Sequence, residues 1–238
     1  MVSQPPLPGA PDFGSLGSSL SIATVVQHDP RRADLLPGLL AELPADTIVV
    51  ADPGANDTLR SPWRCYRACL EALPDDASHL VVIQDDAQVC LDFPEVLERV
   101  VAARPDDPIA LFTPGVGSHA LKVMEACRRG QHWCDLERRM WVPVVAICWP
   151  RDQVGRVLAF ADRKQYPASR WGDDSIIGDY AREEGVTVKA CVPSIVEHPD
   201  VAASLVGTAA MGGKNPALIA ACWAGREWSP LAIKWNTG

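Results

Sequence analysis

The sequence predicts an α/β sandwich around a largely parallel sheet. Three observations carry that prediction. Apolar, β-branched runs recur along the chain, helix-like stretches with spaced leucines alternate with them, and turns rich in proline and glycine mark the joins.

Taken in order, SIATVVQHDP (Ser21 to Pro30) reads as a buried strand with polar residues at its end. RRADLLPGLLAEL follows with helical leucine spacing, and Pro37 with Gly38 interrupts it, so a short or broken helix is expected. DTIVVADPGAND is a second strand ending in a turn-rich loop. SPWRCYRACLEALP is a helix: Ser61 can cap it, Pro62 suits its first turn, and Trp63, Tyr66, Leu70 and Leu73 share a face. HLVVIQDD is the next strand. DFPEVLERVVAAR opens with a capping-box-like pair, Asp92 and Glu95, with Leu91 placed to staple onto Val96.

DPIALFTPG reads as another short strand, while the charged, mixed segment 118–139 yields no element. WVPVVAICWP is a strand followed by a helix over 152–163. WGDDSIIGDYAREEG is a helix with acids in its first turn and Gly185 as its stop. VTVKACVPSIVEH closes the fold as a strand or strand pair.

The 238 residues fit one large domain, or one domain with a small appendage. A formal charge of -8 speaks against a nucleic-acid partner, which needs a basic face. Eight cysteines without a CxxC pair read as buried free thiols in a reducing compartment, not as a zinc site. Residues 1–20 lack the basic start and apolar core of a secretory signal and read as a flexible tail. No apolar stretch approaches the roughly 20 residues of a membrane helix, so a cytoplasmic protein is expected.

In parallel sheets ligands gather beyond the carboxyl ends of the strands, and Gln84, Asp85 and Asp86 occupy such an end. Acids there can organise a turn. They can also hold a divalent cation, since Mg²⁺ and Mn²⁺ are often bound by one or two carboxylates plus substrate phosphates. Asp173 and Asp174 begin a helix, where one acid suffices for capping and the second is free to face a cleft and accept a proton from a hydroxyl. His198, between an apolar run and Pro199, is either structural or the completion of a Mn²⁺ shell. The loop after it, with Ala202, Ala203, Ser204, Gly207, Gly212 and Gly213, is small enough in side chain to move as a lid.

The ordered set of strand-QDDA, helix, apolar strand, WGDD-helix and P-S-x-V-x-H resembles glycosyltransferases of the GT-A fold, and most of all compact enzymes of the kind found in phage genomes. The resemblance spans about residues 22–207. It implies a Rossmann-like α/β/α sandwich, a catalytic domain over 21–207, and a C-terminal segment over 208–238 that packs on it or forms a lid. It also implies a nucleotide-diphosphate sugar donor and a Mn²⁺ or Mg²⁺ cofactor. The family's DxD motif maps to Gln84, Asp85 and Asp86. Gln84 departs from the pattern, leaving Asp86 as the metal ligand and Asp85 nearer the sugar or ribose.

By the same resemblance the late histidine ligand maps to His198, and the catalytic base of inverting members to Asp173 or Asp174, with Asp174 preferred. Donor contacts map to Gln27, His28, Asp29 and Asp52, with Arg60 and Arg64 as diphosphate or nucleotide contacts. Trp223, Trp228 and Trp235 either dock the C-terminal segment or place one ring on a sugar or in the acceptor channel, and Trp171, beside the candidate base, is better placed to stack on a sugar. The acceptor implied is a protein, a glycan or a modified nucleic acid. Two other readings stay open: a nucleotidyltransferase on a related fold, although QHDPRRADLLPG lacks the glycine cluster that grips a triphosphate, and a non-catalytic nucleotide-sugar-binding module.

Overall fold

The structure, a computed structural model, describes residues 20–54, 61–138, 141–166, 172–199 and 219–236. In chain order its elements are β1 (Ile22–His28), α1 (Leu36–Leu40), β2 (Ile48–Ala51), α2 (Pro62–Glu71), β3 (His79–Gln84), β4 (Gln88–Val89), α3 (Phe93–Ala103) and β5 (Ile109–Ala110). They continue as α4 (Gly117–Arg128), β6 (Trp133–Asp135), β7 (Ala146–Pro150), α5 (Arg151–Lys164), α6 (Asp173–Glu183), β8 (Lys189–Cys191) and β9 (Val196–Glu197).

Seven strands form one sheet in the order β2-β1-β3-β7-β5-β8-β6, and β4 pairs with β9 in a small antiparallel ribbon. β1 is parallel to β2 and β3, and β5 to β8; β7 and β6 run against their neighbours, so five of the seven strands share one direction. Helices cover both faces, which makes this the α/β/α sandwich that the sequence predicts.

Alternation along the strands divides the interior in two. Leu80, Val82, Ile147 and Trp149 face one side, where they pack with Tyr66 and Leu70 of α2, Phe160 of α5 and Ile177 and Tyr180 of α6. Val81, Ile83, Ala146 and Cys148 face the other, against Leu39, Phe93, Val96, Leu97 and Val100. Because both faces are dry, these strands carry unbroken apolar runs. Trp149 is fully buried and donates through its indole N–H to the Tyr66 hydroxyl at 2.9 Å, so Trp149→Ala would cost about 3–5 kcal/mol.

Several local expectations change. α1 is the short helix expected, five residues long, but it starts just before Pro37 instead of being cut by it: Pro37 lies in its first turn, where its missing N–H breaks no bond. Asp92 has φ 56°, a left-handed conformation that turns its carboxylate away from the free amides, so it makes no capping bond; Leu91 is exposed and Phe93 fills the buried position instead. Ser61 stands at the start of α2 without a side-chain cap bond. Segment 118–139 contains most of α4 and all of β6. Gly185 ends α6 with φ 69°, in the role expected of it.

Of the eight cysteines, Cys65, Cys69, Cys90, Cys148 and Cys191 are buried thiols, whereas Cys127 is exposed on α4 and its sulfur lies 2.6 Å from that of Cys222. In the C-terminal segment Trp235 is buried, its carbonyl accepts the Trp133 indole N–H at 2.7 Å, and Trp223 packs on the same core. Trp228 is exposed. Residues 1–19, and the small-residue loop with Ala202, Ala203, Ser204, Gly207, Gly212 and Gly213, lie outside the described residues. No helix among the described residues is long and apolar enough to cross a membrane.

Candidate active site

β1 and β3 are parallel and in register, Gln27 beside Gln84, so the residues that follow each strand emerge together at one edge of the sheet. A cavity of about 300 Å³ opens there. Its polar side includes Gln27, His28, Asp29, Asp52, Asp85, Asp86, Asp173, Asp174 and His198, and its apolar wall includes Phe112, Pro114, Trp141 and Pro143. Nine of the twelve residues singled out in the sequence thus line one space. Arg64 lies behind it, and Arg60 and Trp171 lie outside the described residues.

The two acids after β3 have different surroundings. Asp85 is buried and braces the end of β1: its Oδ2 accepts the Asp29 amide at 2.7 Å and faces His28 Nδ1 at 2.9 Å, while its Oδ1 accepts Arg32 Nη1 at 3.2 Å. Burial pushes its carboxyl up, against the hydrogen bonds from Asp29 and His28. Asp86 meets Arg32 and His198 through Oδ2, with His198 Nε2 at 3.3 Å. Burial would raise its carboxyl too, but the bond and charge of His198 and the charge of Arg32 hold it below the usual carboxylate range. Asp86 Oδ1 is buried with no hydrogen-bond partner among the described residues.

That oxygen is the observation on which a cation can be tested. Two ligands at right angles, each about 2.1 Å from a divalent ion, stand about 3.0 Å apart, close to the separation of Asp86 Oδ2 and His198 Nε2. Gln27 Oε1, Ser61 Oγ and His198 Nδ1 are also buried without hydrogen-bond partners among the described residues, all on residues lining the cavity. A hard cation with a polar ligand fits this donor set. Among the described residues no cluster of three or more such side chains is spaced to hold an ion by itself, so substrate oxygens would have to complete the shell.

The second acid pair begins α6, across the cavity. Asp173 is buried; its Oδ1 accepts the Asp174 amide at 3.0 Å and its Oδ2 accepts Gln27 Nε2 at 3.3 Å. Burial, then the neighbouring Asp174 charge, pushes its carboxyl up to about 7. Asp174 is half-buried, with Oδ1 accepting the Ser175 amide at 2.7 Å and the Ser175 hydroxyl at 3.3 Å, and burial raises its carboxyl as well. No hydrogen bond among the described residues reaches its Oδ2. Gly172 permits this placement: a Cβ there would stand 2.5 Å from Asp174 Oδ1.

β1 ties the two pairs together, since consecutive residues reach opposite ways: Gln27 to Asp173 and His28 to Asp85. At the end of β2, Asp52 accepts a forked pair from Arg64, Nε to Oδ1 at 3.1 Å and Nη2 to Oδ2 at 3.2 Å. Arg64 thereby fixes Asp52 and does not reach the cavity itself.

Arg32 and Trp141 are among the cavity residues that the sequence does not mark. Arg32 stands in QHDPRRADLLPG with no local pattern to mark it, and its salience comes from contacts to acids 53 and 54 residues away. Trp141 lies at the margin of the segment that yielded no element. Its proximity to a predicted strand end was the available signal.

No known protein family and no curated protein sequence matches the chain. Among solved structures, a mutant of Drosophila beta-1,4-galactosyltransferase 7, crystallised with manganese, UDP-Gal and xylobiose, is similar with a TM-score of 0.45 and 12% identity over 75% of this chain and 70% of that one. A likeness of this size concerns the course of the chain and leaves the chemistry to be argued from the site.

Proposed function

We propose that this chain is a divalent-cation-dependent glycosyltransferase that moves a sugar from a nucleoside-diphosphate sugar to an acceptor hydroxyl, with inversion at the anomeric carbon. The observation that carries the reading is a single cavity with an ionised, part-satisfied carboxylate beside an imidazole on one side, and an acid with an open oxygen on the other. Asp86 and His198 would hold a Mn²⁺ or Mg²⁺ ion together with diphosphate oxygens. A cation there supplies charge neutralisation for the diphosphate as the sugar–phosphate bond breaks.

Asp174 accepts the proton of the acceptor hydroxyl as that oxygen attacks the anomeric carbon, and the nucleoside diphosphate departs on the opposite face. A carboxyl raised by burial is a stronger base than an exposed one, which suits that role. Asp173 keeps the start of α6 docked on Gln27 and holds the Asp174 amide. Asp52, held rigid by Arg64, meets the ribose or base, with Gln27, His28 and Asp29 lining the path to the diphosphate. The wall with Trp141 and Pro143 suits the apolar face of a pyranose acceptor or donor sugar. The acidic charge of -8 favours a glycan or protein acceptor over a nucleic acid.

The turn after β1 is a single 3-10 turn, Pro30–Arg32, with no glycine loop to wrap a triphosphate, which weighs against nucleotidyl transfer. A thermal-shift screen of nucleoside diphosphates and their sugars, with and without Mn²⁺, tests the proposal. A melting-temperature rise of about 3 °C or more is expected for one nucleotide and only when the metal is added. No metal-dependent rise with any common nucleotide would overturn it.

A further inference from the structure

Asp86 already has a cation on it. Arg32, which also lines the cavity, places Nη1 against both acids, at 3.2 Å from Asp85 Oδ1 and in direct contact with Asp86 Oδ2. That Asp86 oxygen is the one facing His198 Nε2 at 3.3 Å. A carboxylate oxygen has two lone pairs, and here a guanidinium and an imidazole address both. A divalent ion bonded to Asp86 through Oδ2 would compete with Arg32 for that oxygen, and one bonded through the open Oδ1 would still stand within a few ångströms of the guanidinium charge, in a buried setting where like charges repel strongly.

We propose that Arg32 is a latch on the cation seat: it neutralises Asp86 while the seat holds no metal, and it must swing off Asp86 before a divalent ion binds. The proposal rests on the metal reading of Asp86 and His198 given above. Arg32 ends the short turn Pro30–Arg32, just past β1, so its departure moves a side chain and leaves the sheet in place. The swing carries the guanidinium into the space that a diphosphate would occupy, where it gains an anionic partner for the one it leaves. Arg32 is thus a positioning residue that keeps the two buried acids compatible with folding and couples their release to the arrival of substrate.

The test is Mn²⁺ binding to the full chain without nucleotide, followed by the loss of the free-ion electron paramagnetic resonance signal, in wild type, Arg32→Gln, Arg32→Lys and Asp86→Asn. Arg32→Gln is expected to bind Mn²⁺ about tenfold tighter than wild type, and Arg32→Lys, which keeps a charge but loses the planar fork, to lie between them. Damage to the fold can only weaken binding, so tightening has no trivial explanation. Equal or weaker binding by Arg32→Gln, with wild type still binding and Asp86→Asn not, overturns the latch and leaves the metal site standing. Absence of binding in every protein overturns the latch; absence that persists when a nucleoside diphosphate is added, or binding undiminished in Asp86→Asn, overturns the metal reading with it.

Discussion

The acid pair after β3 and the acid pair at the start of α6 use the same two side chains to opposite ends. Asp85, Asp86 and Asp173 are buried and Asp174 is half-buried, and in each pair one carboxylate is fully engaged while the other keeps an oxygen that no hydrogen bond among the described residues reaches. At the β3 end Arg32, His28 and His198 surround the pair, and Asp86 is held below the usual carboxylate range. At the α6 end the partners are an amide side chain, backbone N–H groups and a hydroxyl, and both acids are pushed up, Asp173 to about 7. A carboxylate held below its usual range by a movable positive neighbour can exchange that neighbour for a metal cation. Neutral, dry surroundings suit carboxyls that exchange protons.

The largest effect that can break this contrast lies in Asp174. On the account given, Asp174→Asn lowers transfer about 10²- to 10⁴-fold while leaving Mn²⁺-dependent nucleotide binding in place. A steady-state assay beside a thermal-shift titration checks both halves. Equal loss of binding and turnover would erase the division of labour between the pairs.

A smaller effect should follow from Gly172→Ala. Its Cβ would crowd the Asp174 carboxylate at 2.5 Å, and displacement of a reacting group by about 1 Å lowers turnover on the order of 10- to 100-fold. The loss should appear in kcat with the metal-dependent shift unchanged. A change in nucleotide affinity of similar size would mean that the α6 end also holds the donor.

The smallest effect is in stability against pH. Asp173 has its folded carboxyl raised from 3.8 to about 7, so its contribution is fully present below about pH 4 and is lost as pH rises through about 7. Wild type should therefore lose more melting temperature between pH 5 and pH 8 than Asp173→Asn, which has no proton to lose. Parallel melting curves across that range would place the titration elsewhere.

Much of this was legible in the sequence because it is local. β-branched runs that end in acids mark strand ends, and acids before an apolar helical run mark a helix start. α4 was not legible because its buried residues are His119, Ala120, Val123 and Ala126, whereas Leu121 and Met124 face solvent, so large apolar residues fall on the wrong side of the helix. The capping pair at Asp92 failed because the backbone there is left-handed, which composition does not reveal. Arg32 was hidden for a different reason. Its partners are far along the chain and become neighbours only through the β1–β3 register.

The central claim is that Asp86 and His198 share one divalent ion. Anomalous diffraction at the manganese edge, from crystals grown with Mn²⁺ and a nucleoside diphosphate, tests it most directly. The account predicts a single strong peak bonded to Asp86 and His198, with diphosphate oxygens completing the shell. A nucleotide bound in this cavity with the manganese elsewhere, or with Arg32 still on Asp86 and no peak beside it, would contradict the claim.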